Sequence, residues 1–516
     1  MKRNVPSLLC IAALAAVVCV AGCDLAPKYQ RPITPTPAAF KESAPQYPES
    51  TNVWKIARPN DAVQRGKWWE VFTNAELNAL EEQVIVSNQT IAVAIANVQS
   101  ARAVARQARA QLYPTLAANP AFTRSRTPFL GGRSGTVTTG GGGGSVTVSP
   151  SAFTESQYNL PLDASWQPDL WGKFRGAEKA AAYEAQATRA DLENTLLMVQ
   201  GEVASDYFQL RSQDALVQLY EDTVKAYRES LDLTRVRYNT GIASDEDVAQ
   251  AETQLKTSEA QATNLRILRN QLEHAIAVLL GRPPSSLSIP VEPLTISPPA
   301  VPLGLPSELL ERRPDIAAAE RRVAEANQRI GVAKAAYYPN ITLSASGGFE
   351  STTLDNLLKW SSRTWSIGTS LSETIFDAGA RRATVEQFRA EYDGTVATYR
   401  QTVLGAFQQV EDDLSTLGVL VREVDQQQDA VNSAGRYLAL AQERYKLGID
   451  SYLNVITAQT TYLQNRQTLV NLRELQMSSS VQLVEAAGGA WATNQLPTPA
   501  QMLSRKQLPP PGSGSQ

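Results

Sequence analysis

Few residues of this chain have the type and spacing that catalysis requires. The one histidine, His274, sits between Glu273 and Ala275 in a helical run. A single imidazole removes the commonest general base and metal ligand from most schemes, and its expected place is a helix surface or seam. Arg312, Arg313 and Asp315 form a charged cluster that could orient a substrate. Beside Pro314 and just ahead of a helical run, they fit capping and ion-pair contacts better. The run from Gly131 to Ser149, with five consecutive glycines at Gly140 to Gly144, has the composition of a phosphate-binding loop. It lacks the Gly-Lys-Ser/Thr ending that holds phosphate and magnesium, so it reads as a flexible loop. Ser244-Asp245-Glu246-Asp247 concentrates carboxylates, but acids directly after a serine are also what a helix N-terminus favours. No nucleophile stands with a base to activate it. No catalytic residue, metal site or cofactor is expected.

Cys23 is the thiol with a different prospect. Lys2 and Arg3 open the chain, Leu8 to Val20 is almost wholly apolar, and Ala21 and Gly22 are small, the pattern of a secretory signal at residues 1–22. Val20-Ala21-Gly22-Cys23 resembles a bacterial lipobox, in which the cysteine is acylated and becomes the first residue of the mature chain. Cys10 and Cys19 lie within the removed segment, so Cys23 has no disulfide partner and is the expected lipidation site. Asp24 follows it; in enteric bacteria that residue tends to retain lipoproteins in the inner membrane. The whole chain carries 48 basic against 51 acidic residues, which argues against a nucleic-acid partner. No later stretch approaches the 18 or so apolar residues of a membrane helix, so any spanning structure must be a closed barrel.

The elements that position these residues are duplicated. Arg237-Tyr238-Asn239-Thr240-Gly241-Ile242 recurs as Arg444-Tyr445-Lys446-Leu447-Gly448-Ile449, 207 positions later. The same shift carries Gly172 to Gly379, Val203 to Val410, Val248 to Val455 and Gly281 to Gly488 without a gap. Upstream, Ile91, Tyr113 and Pro114 match Ile316, Tyr338 and Pro339 at a shift of 225. The 18 extra residues fall in the glycine-rich run of the first copy.

In the first copy Leu192, Leu196, Val199, Val203, Tyr207, Leu210, Val217, Tyr220 and Val224 recur at threes and fours, a coiled-coil-like seam. The second copy repeats it with Tyr399, Val403, Ala406, Val410, Leu414, Leu417 and Val424. Neither Gly172 to Asn239 nor Gly379 to Lys446 contains a proline, so each is predicted as one helix of about 100 Å. Gly241 or Gly448 then supplies a left-handed cap and Ser244 or Ser451 starts an antiparallel helix. Earlier helices are expected over Asn74 to Leu112 and Pro306 to Tyr337.

After Pro339 the chain alternates Ile341, Leu343, Ala345 with Thr342, Ser344, Ser346, and later Trp365, Ile367, Leu371 with Ser366, Gly368, Ser370. These are period-two strands. Thr115 to Arg126 and Ser156 to Trp166 are their less regular counterparts, with Tyr113, Trp166, Tyr338 and Trp365 suited to membrane interfaces. A soluble sheet on a core would alternate in the same way. As a barrel wall, four strands per chain are too few to close, since roughly eight is the minimum, so the chain must oligomerise.

Lys67-Trp68-Trp69 through Phe72 and Leu77, Glu311-Arg312-Arg313-Pro314-Asp315-Ile316, Ile330-Gly331 before Tyr338-Pro339, and Ile375-Phe376-Asp377-Ala378-Gly379 together resemble the TolC-type outer-membrane efflux proteins, in particular the NodT-like lipoprotein branch. The likeness covers nearly the whole mature chain. It implies a mainly α fold with a β-barrel portion: long antiparallel coiled-coil helices plus four strands per chain, completing a 12-stranded transmembrane β-barrel and a periplasmic α-barrel as a homotrimer. It implies partners, namely a periplasmic adaptor of the membrane fusion type, an inner-membrane pump of the RND type, and outer-membrane lipid. The hairpin tips, with Arg237, Gly241, Ser244, Arg444, Gly448 and Ser451, would contact the adaptor. The family's gate link maps to Tyr445 and Asp247, although Asp247 as a helix cap and Tyr445 as a seam residue account for them equally. Asn454 and Thr457 stand where many relatives carry pore-constricting aspartates, which speaks against a strong acidic ring.

The implied organisation is a signal peptide at 1–22, a lipid-anchored extension at 23–65, a first repeat at 66–281, a linker at 282–305, a second repeat at 306–489 and a tail at 490–516. The implied function is the outer-membrane channel of a tripartite efflux system. The alternatives are the channel of a type I secretion system, a coiled-coil lipoprotein scaffold, and a lipoprotein hydrolase. Paired alternating strands in both copies speak against the scaffold, and the missing nucleophile and base against the hydrolase.

Overall fold

The computed structural model describes residues 25–34, 36–37, 39–42, 67–127, 153–293, 298–299, 306–489, 491 and 493–508. The signal segment, Cys23, Asp24 and the glycine-rich run lie outside them. In chain order the helices and strands are α1 (Ala75–Ser87), α2 (Gln89–Ala110), β1 (Thr115–Ala118), β2 (Ala121–Thr127), β3 (Phe153–Trp166), α3 (Lys173–Asn239), α4 (Asp245–Leu279), α5 (Pro306–Arg312), α6 (Pro314–Ala335), β4 (Asn340–Ser351), β5 (Arg363–Ser372), α7 (Ala380–Lys446), α8 (Tyr452–Ala486) and α9 (Pro499–Leu503). The contacts divide the chain into one unit of residues 1–29, 104–180 and 327–390 and a second of residues 30–103, 181–326 and 391–516.

The duplication seen in sequence sets the helix bounds. α3 and α7 are both 67 residues long, α4 and α8 both 35, and each start and end is displaced by the same 207 positions. Both long helices end on a left-handed glycine, Gly241 at φ 75° and Gly448 at φ 74°. The following amide turns back onto the helix in each case: Ile242 N–H donates to the Arg237 carbonyl at 2.8 Å and Ile449 N–H to that of Arg444 at 2.9 Å. A Cβ at this φ would be strained, which is why glycine closes both hairpins. Every seam residue anticipated on α3 and α7 is buried except Val224 and Val424, which are half-buried.

Two anticipated helices are each broken in two. Asn88 is buried and extended between α1 and α2, its Oδ1 accepting from Ile91 N–H at 3.0 Å and its Nδ2 donating to the Leu279 carbonyl at 2.7 Å. A side chain that bonds local backbone competes with the helix ladder, and here a distant carbonyl tips the balance. Between α5 and α6, Pro314 lacks an N–H and disfavours helical backbone at Arg313.

In the first unit the strands form one antiparallel sheet in the order β1-β3-β4-β5, with β2 also on β3. The expected strand Thr115 to Arg126 is interrupted at Asn119 and Pro120, yet β1 and β2 keep a single register on β3: Ala118 faces Leu162 and Ala121 faces Asn159. The gap lies opposite Leu160 and Pro161, so two prolines that cannot donate to the ladder fall at the same place. β3 runs three residues further than anticipated at its start.

The register sorts side chains by polarity. Leu116, Phe122, Leu160, Leu162, Ala164, Trp166, Ile341, Leu343, Ala345, Phe349, Trp365, Ile367 and Leu371 share one face, following the partners Leu116↔Ala164, Phe122↔Tyr158, Leu160↔Phe349, Trp166↔Leu343 and Ile341↔Leu371. The other face carries Thr115, Asp163, Ser165, Ser344, Ser346, Glu350, Ser366 and Ser370. The apolar face is the exposed one: Trp365 is 79% and Ile367 78% accessible. Among the described residues no helix is long and apolar enough to cross a membrane.

The core of the second unit gathers aromatic and branched side chains. Trp69, Phe72, Leu77, Phe208, Ile276 and Leu280 are wholly or almost wholly buried, with Phe72 and Phe208 rings 5.0 Å apart. Gly201, inside α3, makes room for a side chain of α8: a Cβ there would meet Glu485 Oε1 at 1.5 Å.

Candidate functional site

The hairpin ends of α3–α4 and α7–α8 lie together in the second unit and share an apolar cluster. Tyr227, Leu231, Ala251, Leu255, Tyr445, Tyr452 and Val455 are its buried members. The Tyr445 and Tyr452 rings are 5.2 Å apart and tilted by 55°. Tyr452 Oη lies 3.2 Å from Ser230 Oγ, and Gln254 Nε2 donates to both Tyr227 Oη and Thr460 Oγ1 at 3.2 Å. Burial raises the Tyr227 and Tyr452 hydroxyl pKa values, so both stay protonated and neutral.

Arg237 ties the two hairpins. Its Nη1 donates to the Tyr445 carbonyl at 2.8 Å and the Lys446 carbonyl at 3.0 Å, and its guanidinium lies 4.5 Å from the Tyr445 ring centroid. Those carbonyls belong to the last turn of α7, where helix carbonyls lack intrahelical partners and the dipole favours a cation. The duplicate arginine acts differently: Arg444 Nε donates to Asp450 Oδ2 at 2.6 Å within its own hairpin. The residue equivalent to Asp450 in the first copy is Ala243. With no acid beside it, Arg237 reaches across.

Asp247 and Ser244 form a capping box. Asp247 Oδ2 accepts from Ser244 N–H and Oγ at 2.9 Å each, and Ser244 Oγ accepts from Asp247 N–H at 3.2 Å. The Tyr445 hydroxyl is buried with no hydrogen-bond partner among the described residues, so it makes no hydrogen bond to Asp247. Ser451 makes no side-chain cap. Asn454 and Thr457 are exposed and neutral, as are the turn residues Ile242, Leu447 and Ile449 and, in the first turn of α8, Leu453. Sequence reading missed Tyr452, because its counterpart in the first copy is Asp245 and the repeat gave it no mate. No periodic signal joins it to Tyr445, since the reversal at Gly448 separates the two helices that carry them.

A second electrostatic feature lies around a cavity of about 370 Å³ lined by Arg313, Asp315, Gln409, Asp413 and Glu485 among others. Arg313 Nη1 donates to Gln409 Oε1 at 2.8 Å and the Ala486 carbonyl at 3.0 Å, while Nε and Nη2 engage both Asp315 oxygens. The arginine–aspartate cluster thus braces helix ends, and its geometry offers no nucleophile. Burial, then neighbouring acids, push Glu485 up to about 8 and Asp413 up to about 7, with Arg313 opposing. Asp206 is raised to about 6 by burial and Glu202. Glu81 is fully buried, both carboxylate oxygens unpartnered, and burial and Glu485 raise it well above the carboxylate range.

The sequence model of the outer membrane efflux protein family matches residues 80–282 and 305–489, both halves of the duplication. This chain belongs to that family. It is 33% identical over 486 residues to the solvent efflux pump outer membrane protein SrpC of Pseudomonas putida, covering 93% of this chain and 98% of the relative. It is 30% identical over 479 residues to the pyoverdine export outer membrane protein OpmQ of Pseudomonas aeruginosa, covering 92% and 96%. The solved outer-membrane channel OprN superposes with a TM-score of 0.78 at 26% identity, over 91% of this chain and 99% of OprN. The efflux protein described here is accordingly an outer-membrane channel, of a family of transport proteins and not of enzymes.

Proposed function

We propose that this efflux protein is one of three identical subunits of a passive duct, each giving four strand lines to a 12-stranded barrel and its paired long helices to a periplasmic α-barrel. The exposed apolar face of the sheet carries the reading. A row of Trp365, Ile367 and Leu371 in water is costly at about 25 cal/mol per Å² of apolar surface, and lipid removes that cost. The sheet's outer strands also offer unpaired backbone edges, which a membrane does not tolerate until a neighbour closes them. A scaffold would need neither feature.

In this reading residues 66–281 and 306–489 are two repeats of one unit, joined by 282–305 and followed by the tail 490–516. The hairpin tips are the periplasmic entrance. Arg237, Gly241, Ser244, Arg444, Gly448 and Ser451 face a periplasmic adaptor, and an inner-membrane RND-type pump supplies energy and most of the selectivity. Tyr445 and Asp247 engage each other only in a state other than the capped one described above. The channel opens when adaptor contacts favour untwisted tips.

Crosslinking of protein extracted from the outer membrane tests the assembly: a ladder ending at three subunits is expected, and a purely monomeric product would overturn it. Labelled palmitate is expected on the wild type and absent from Cys23→Ser, with the variant still in the outer membrane because the barrel places it. Equal labelling of both would remove Cys23 as the anchor.

A further inference from the structure

The charged residues of the described strands separate by sign between the two faces of the sheet. Arg124, Arg126 and Arg363 lie on the apolar face, since Phe122, Trp365 and Ile367 share their parity along β2 and β5. Glu155, Asp163 and Glu350 lie on the polar face, out of phase with Tyr158, Leu160 and Phe349. No strand residue breaks this rule.

Position sharpens it. The chain enters and leaves the sheet through helices at Thr115, Trp166, Asn340 and Ser372. The three arginines sit at the opposite end, Arg124 and Arg126 in the last residues of β2 and Arg363 at the first of β5. An arginine on a lipid-facing wall is costly at the bilayer midplane but costs close to nothing at the interface, so these positions mark a headgroup rim. Arg363 lies over the Trp360 ring at 3.2 Å from its centroid and donates from Nε to the Trp360 carbonyl at 3.0 Å, while Lys359 is exposed beside it. Arg124, Arg126 and Arg363 are exposed, and none has an ion-pair partner among the described residues.

We propose that Arg124, Arg126 and Arg363, with Lys359 beside them, form a basic collar that binds the phosphate groups of anionic lipid headgroups in the leaflet around the loop end of the sheet. The planar guanidinium fork takes two phosphate oxygens at once, and an aromatic under Arg363 holds it at the headgroup level. The acids of the described strands are confined to the opposite face, so none of them competes for the lipid phosphates, and Asp355 stands apart from the strands in the turn Leu354–Asn356. The inference rests on the sheet being a barrel wall.

Native mass spectrometry of the full mature protein in nonionic detergent tests it, with bisphosphorylated lipid A, its dephosphorylated form and inorganic phosphate as probes. The triple variant R124Q/R126Q/R363Q is expected to lose roughly tenfold or more in affinity for the bisphosphorylated lipid and to bind the dephosphorylated one as wild type does. The triple lysine variant keeps the charge without the fork and should fall between. Unchanged affinity in the glutamine variant overturns the collar. So does equal displacement by inorganic phosphate at matched concentration, which would mean a small-anion site. The oligomer mass in the same spectra separates the two readings: a trimer with unchanged lipid binding removes the collar alone, whereas a monomer removes the duct as well.

Discussion

Arg237→Ala is expected to raise the resting conductance of the reconstituted channel by at least tenfold without lowering the yield of assembled protein. The substitution removes two charge-assisted hydrogen bonds to the Tyr445 and Lys446 carbonyls and the stacking on the Tyr445 ring. For a half-exposed group this amounts to roughly 2 kcal/mol after screening. Every 1.4 kcal/mol is a tenfold change in an equilibrium, so a closed state held partly by this contact loses ground to the open one. Arg444→Ala is the informative comparison. It breaks a pair with Asp450 that stays inside one hairpin, and its conductance should stay near wild type. A closed Arg237→Ala channel would show that the tip cluster alone holds the entrance.

The second large effect is on the pH dependence of stability. Glu485, Asp413 and Asp206 have folded pKa values of about 8, about 7 and about 6, above their ordinary values, chiefly through burial. Raised carboxylate pKa values mean that the fold keeps protons which the unfolded chain releases between about pH 4 and 5. Stability is therefore full below that range and falls as pH rises towards 8. The groups are partly exposed, so the loss is on the order of 3 kcal/mol for the three together after screening. The thermal unfolding midpoint is expected to drop between pH 5 and pH 8. In Glu485→Gln the drop should be shallower, and the variant should exceed wild type at pH 8, because the acid that also faces Glu81 and Asp413 is gone. A wild-type midpoint that rises with pH would reverse the assignment, leaving Arg313 as the dominant neighbour.

Sequence alone determined the parts of this protein that repeat or alternate. The 207-residue shift set the two long helices to within one residue and the start of each returning helix, because a duplicated seam from Leu192 to Val224 and a glycine at each turn dictate local geometry wherever the chain goes. Period-two alternation located the strands and both faces of the sheet, since side-chain direction in a strand follows from backbone alone. What sequence left open depended on partners far along the chain. Asn88 breaks a helix because the Leu279 carbonyl, 191 residues away, accepts from it. Arg237 and Arg444 look equivalent in the repeat, yet only Arg237 crosses between hairpins, and only packing places the α7 carbonyls within its reach. The acids Glu81, Glu485 and Asp413 stand on three different helices, unremarkable in sequence, and their proton affinity arises when tertiary structure strips their water. Local periodicity is written residue by residue, whereas electrostatics and cross-chain capping depend on burial and distance, and those exist only once the helices have packed.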